Sequence, residues 1–143
     1  MAAQGVPHAA EPGAKSGRQI RLGLIAVFLA GVIVQFYLAG RGVFRASPDF
    51  DAHKTVGDIL HPLSFVIFIA SVAIPATRNR VDIGLAFALF VLMTIQAILG
   101  DFKHPELGAL HPVNGLLVLG AAAGIFSRDR RLTAASRAAP TTA

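Results

Sequence analysis

Four apolar runs, each about the twenty residues that an α-helix needs to cross a hydrocarbon core about 30 Å thick, alternate with short polar breaks along this chain. They cover 20–40, roughly 56–76, 81–100 and roughly 107–126. The runs are continuously apolar rather than alternating, which argues against barrel strands, and only helices or closed barrels satisfy the backbone inside lipid. The pattern therefore predicts an all-α bundle of four transmembrane helices, at about 20–40, 51–77, 81–100 and 105–127. The break around Thr77 to Arg80 is so short that the second and third helices must be antiparallel neighbours. Longer connections carry Ser47-Pro48 and His104-Pro105 ahead of the second and fourth helices. Proline suits a first helical turn, where its missing N–H is no loss, so both even-numbered helices are expected to start slightly above the membrane.

Composition agrees with a membrane protein. Of 143 residues, 54% are hydrophobic and only 15% charged, and the mean hydropathy is +0.61; an ordinary soluble domain is far more polar. The membrane domain is expected to span 18–131, flanked by disordered tails at 1–17 and 132–143, which are rich in Ala, Gly, Pro and Thr and lack an apolar period. The first apolar run begins at Ile20 and outlasts the h-region of a cleaved signal peptide, so no cleavage is expected.

Charge adds orientation. Nine of the thirteen Lys and Arg residues, namely Lys15, Arg18, Arg21, Arg78, Arg80, Arg128, Arg130, Arg131 and Arg137, fall in the two tails and the second connection. The other side holds Arg41, Arg45, Lys54 and Lys103 with five acids, Asp49, Asp51, Asp58, Asp101 and Glu106. The positive-inside rule then makes both termini cytoplasmic and the protein a multi-pass component of a cell membrane. The sequence pI of about 10.8 does not indicate nucleic acid, because the basic residues flank apolar runs rather than alternating with aromatics on a polar face. They read as topology signals and contacts to anionic lipid.

The polar residues within this apolar background repeat. Gln35 lies in the first run and is followed, across a loop, by His53-Lys-Thr-Val-Gly57; Gln96 lies in the third and is followed by His111-Pro-Val-Asn-Gly115. The chain thus reads as two tandem two-helix repeats. Parallel copies imply a pseudo-twofold axis along the membrane normal, which sets the second helix opposite the fourth and brings His53 and His111 face to face. A glycine four residues after each histidine shares its helical face and leaves room beside the imidazole. Two neutral imidazoles from opposed helices, with small residues where a porphyrin would approach, are what a bis-histidine b-type haem site requires. With no cysteine in the chain, thiolate metal sites, iron–sulfur clusters and covalent haem attachment are excluded.

The frame from Phe50 through His53 to Gly57, followed by Leu110 to Gly115, resembles a family of small bacterial four-helix membrane proteins of uncharacterised role. At a distance it is similar to one half of haem A synthase, whose four-helix bundle carries haem between histidines at the outer ends of its second and fourth helices. That resemblance implies haem b between His53 and His111, the candidate iron ligands. It does not imply haem oxidation: there is a single half and no cysteine pair, and Phe50 stands where the synthase has glutamate, with Asp51 only nearby.

Each candidate also has a plainer reading. His53 and His111 could be interfacial helix-start residues bonded to the backbone. Gln35 and Gln96 could make interhelical hydrogen bonds instead of contacting a haem propionate or an axial imidazole. His61, which precedes Pro62 as His111 precedes Pro112, competes with His53 as the partner of His111: counting back from Arg78 and Arg128 places it at the same depth. Pro62 is expected to kink the second helix, and His104 to be solvated. Two functions follow: haem binding near the outer face, with a membrane redox partner or haem enzyme in electron transfer or haem handling, or a cofactor-free four-helix membrane subunit or scaffold. The sequence pattern shows no nucleophile with a base and no phosphate loop, and no paired carboxylates are expected within the bundle, so no catalytic residue is assigned.

Overall fold

The computed structural model describes residues 12–45, 48–101 and 104–138. Helix α1 spans Pro12–Arg45, α2 Pro48–Ala73, α3 Arg80–Asp101, the single turn α4 Pro105–Gly108, and α5 Leu110–Ala138; a 3-10 turn, Pro75–Thr77, joins α2 to α3. Four stretches, Ser16–Phe44, Phe50–Ala73, Arg80–Asp101 and Pro105–Ala138, are long and apolar enough to cross a membrane. The chain is an all-α, four-span integral membrane protein.

Proline opens two short turns: Pro75 begins the 3-10 turn and Pro105 begins α4, where the N–H that proline lacks would have no intrahelical acceptor. Pro62 lies inside α2, yet the helix continues through it from Pro48 to Ala73. Asn79 caps α3: its side-chain oxygen accepts from the Asp82 backbone N–H at 3.0 Å.

The helices outrun their apolar cores. α1 begins eight residues before Ile20, and α5 runs past the expected end near 127 to Ala138. Residues 12–17 and 132–138, placed in tails by composition, are thus helical; positions 1–11 and 139–143 lie outside the described residues. The reason is packing at this end of the bundle, where Asp129 and Thr133 of α5 are buried and Arg18 and Arg21 of α1 turn inward.

The bundle is square. α1 packs on α2 and α5, and α3 packs on α2 and α5, so α2 faces α5 across one diagonal and α1 faces α3 across the other. Each helix contributes an inward seam with steps of four, three and four residues: Arg21, Ile25, Phe28 and Val32; Leu60, Ser64, Ile67 and Ser71; Asp82, Ala86, Leu89 and Met93; Val118, Ala122, Ile125 and Asp129. That spacing is the a/d seam of knobs-into-holes packing. The α1 and α3 seams match position for position 61 residues apart, from Arg21 with Asp82 to Val32 with Met93, and the α2 and α5 seams match 58 residues apart, from Leu60 with Val118 to Ser71 with Asp129. The repeat therefore runs the whole depth of the bundle. Because lipid tails are as apolar as the core, hydrophobic burial does not drive these helices together, and close packing and polar layers must.

One such layer closes the end that carries the termini. Arg21 is fully buried; its guanidinium grips Asp129 through two nitrogens, reaches Asp82 at 3.1 Å and donates to the Ser71 hydroxyl at 3.1 Å. These are the four seam residues at the same level on four helices. Arg128 adds a 2.7 Å bond to Asp82, and Arg18 bonds Asp129 at 3.2 Å and the Ala76 carbonyl. Arg18, Arg21 and Arg128, expected to be topology signals and lipid contacts, therefore serve as internal counter-ions for two buried carboxylates.

Candidate functional site

At the opposite end, the seams continue into polar residues. Three or four positions beyond the last apolar layer stand Gln35 on α1, Gln96 on α3, Gly57 then His53 on α2, and Gly115 then His111 on α5. All six line a cavity of about 600 Å³ enclosed by the four long helices. The imidazoles of His53 and His111 meet inside it with ring centroids 5.9 Å apart and planes at 64°.

The two histidines are held alike. His53 Nδ1 lies 3.1 Å from the Gln35 backbone carbonyl and His111 Nδ1 3.1 Å from the Gln96 carbonyl. A carbonyl can only accept, so Nδ1 carries the proton in both rings, and in the neutral form each Nε2 keeps its lone pair. Metal-ligating histidines are commonly oriented by this kind of bond.

Beyond the rings the halves differ. Asn114 donates to the Leu92 carbonyl at 2.9 Å and to Gln96 Oε1 at 2.6 Å, which turns the Gln96 amide nitrogen to within 3.0 Å of His111 Nε2. The repeat position of Asn114 on α2 is Val56, which offers no such bond. Gln35 Oε1 is buried without a hydrogen-bond partner.

The glycines accommodate these amides. A Cβ on Gly57 would come within 2.9 Å of Gln35 Nε2, and one on Gly115 within 3.4 Å of Gln96 Nε2 and 3.5 Å of the Phe36 ring. The space expected beside each imidazole is therefore filled by the glutamine of the preceding helix. Gly100 serves His111 similarly, since a Cβ there would meet its ring at 3.3 Å.

His61 also borders the cavity but belongs to a different contact. It stacks on Phe90, with centroids 5.8 Å apart and planes at 5°, and its Nε2 lies 3.2 Å from the Thr94 hydroxyl. That hydroxyl gives its proton to the Phe90 carbonyl, so it accepts from His61, whose Nε2 is the protonated nitrogen, the reverse of His53 and His111. The depth count that set His61 level with His111 does not hold, because the chain leaves α2 at Ala73 and turns through Pro75–Thr77 before reaching Arg78. His104, exposed at the start of α4, is not among the residues lining the cavity.

The mouth is charged. Asp51, Lys54, Asp58 and Asp101 are exposed along its rim, while Arg41 stacks over the Tyr37 ring at 5.8 Å on α1. Among the described residues no group of three or more His, Asp or Glu side chains is arranged to hold a metal ion. A ligand here would rest on two imidazoles.

Sequence reasoning missed Asn114, Thr94 and the charged layer of Arg21, Asp82 and Asp129. A signal existed for each charged residue, since the repeat that aligns Gln35 with Gln96 also aligns Arg21 with Asp82 and Ser71 with Asp129.

No curated protein and no solved structure matches the chain. Residues 35–102 are similar to a family of unknown function, DUF6220; the matched stretch runs from Gln35 to the end of α3, taking in His53, His61 and Gln96 and stopping short of His111.

Proposed function

We propose that this four-helix membrane protein binds b-type haem between His53 of α2 and His111 of α5, in an electron-transfer or haem-handling role. The observation that carries the reading is the pair of imidazoles 5.9 Å apart on diagonally opposed helices, each with Nδ1–H directed to an equivalent carbonyl. The cavity of about 600 Å³ falls in the range of about 300–1,000 Å³ usual for cofactor pockets. His53 and His111 would be the axial ligands, Gln35 and Gln96 would turn aside to admit the ring, and Gly57 and Gly115 would keep the approach clear. When bound, haem iron would supply a one-electron centre whose potential the axial imidazoles and their carbonyl partners tune.

One observation favours the alternative of a cofactor-free membrane subunit: the Gln96 amide already satisfies His111 Nε2. Haemin titration of the purified protein separates the two readings. A Soret shift and a reduced α-band of bis-histidine type support haem, whereas a titration that shows only the spectrum of free haemin, with colourless protein from haem-replete cells, supports the subunit.

A further inference from the structure

Resting on the haem reading, we infer that the chamber holds its ligand asymmetrically, with His53 as the standing ligand and His111 as a ligand that Asn114 and Gln96 reclaim on release, so that the site loads and discharges haem rather than retaining it. The inference comes from a break in an otherwise matched pair. His53 and His111 share ring placement, tautomer and carbonyl partner, yet their Nε2 atoms have different surroundings. On the α5 side, Asn114 fixes the Gln96 amide by a 2.6 Å bond, and that amide donates to His111 Nε2 at 3.0 Å. On the α2 side, Val56 replaces the asparagine, and Gln35 Oε1 is left buried with no partner.

The physical consequence is a difference in what the empty chamber costs. His53 bonds through Nδ1 alone among the described residues, so a ligand reaches its Nε2 lone pair without breaking a hydrogen bond first. His111 must surrender a charge-neutral hydrogen bond held in place by a second one. Binding at His111 is therefore opposed by the latch and departure is assisted by it, whereas His53 has no such competitor. A permanent electron relay gains nothing from a built-in competitor for one axial ligand; a carrier that hands haem on does.

The latch can be tested without haem. Diethyl pyrocarbonate attacks the imidazole nitrogen that bears the lone pair, and both rings are partly buried. In the haem-free protein in detergent, peptide mass spectrometry should show His53 modified several-fold faster than His111. Asn114→Val, which copies the α2 side, or Gln96→Leu should bring His111 to the His53 rate. Equal rates in the unaltered protein, or a slow His111 indifferent to both substitutions, overturns the latch. In haemin titrations Asn114→Val should tighten binding on the order of tenfold, the worth of one hydrogen bond no longer broken, and slow haemin transfer to apomyoglobin. Unchanged or weaker binding in both variants overturns the release role. Failure of the unaltered protein to bind haemin overturns the haem reading itself, and that failure is distinguishable because the modification pattern at His53 and His111 is read independently of haem.

Discussion

Arg21 and Asp82 occupy equivalent seam positions in the two halves of the bundle, 61 residues apart, and pair with each other at 3.1 Å. The repeat has thus placed opposite charges at one level, with Asp129 closing the group from the α5 side.

The first prediction follows from that layer. Removing one member of a buried ion group leaves the others uncompensated, at a cost of about 3–5 kcal/mol. Arg21→Met should lower the detergent melting temperature sharply, and the exchange Arg21→Asp with Asp82→Arg should recover a good part of the loss, since the two sites are related by the repeat. An Arg21→Met protein that melts with the unaltered chain would show the layer to be dispensable.

Helix contact is the subject of the second. A Cβ on Gly31 would stand 2.6 Å from Leu60 Cδ2, with two more Leu60 atoms at 3.3 Å, and Leu60 is itself buried. Gly31→Ala should therefore destabilise the α1–α2 contact by about 1–3 kcal/mol, the usual cost of overpacking. Gly84→Ala and Gly120→Ala, which meet nothing within 4 Å, are the controls and should be neutral or mildly stabilising.

The third concerns the ligand pair. With haemin bound, His53→Ala and His111→Ala should each abolish the low-spin bis-histidine spectrum, because one axial ligand is lost. His61→Ala should leave it nearly intact, as His61 gives its Nε2 proton to Thr94. A spectrum destroyed by His61→Ala and spared by His53→Ala would move the ligand to His61.

The fourth tests orientation. Reporter fusions at Arg78 and beyond Ala138 should both read cytoplasmic and a fusion near Asp49 external, by the weight of positive charge at the end holding the termini. An external C-terminal fusion would reverse the bundle and put the histidine chamber on the cytoplasmic side.

The sequence by itself determined the four spans, because twenty apolar residues in succession have one stable backbone in lipid. It also determined the repeat, since Gln35, His53 and Gly57 stand out against apolar neighbours and recur as Gln96, His111 and Gly115. It could not say which apolar residues face the core: Ile25 and Val27, or Leu89 and Val91, look alike, and one of each pair faces inward while the other lies on the outer surface. A helix bathed in hydrocarbon is apolar on both faces, so periodicity loses its contrast. Tertiary structure decided the rest. It set His53 rather than His61 beside His111, because the turn after Ala73 breaks the count of depth along the chain. It turned Arg21 inward to Asp129, although arginine near a span end has the composition of a lipid anchor. And it gave Asn114 its role, because a hydrogen bond from α5 to Gln96 on α3 exists only once the two helices lie side by side.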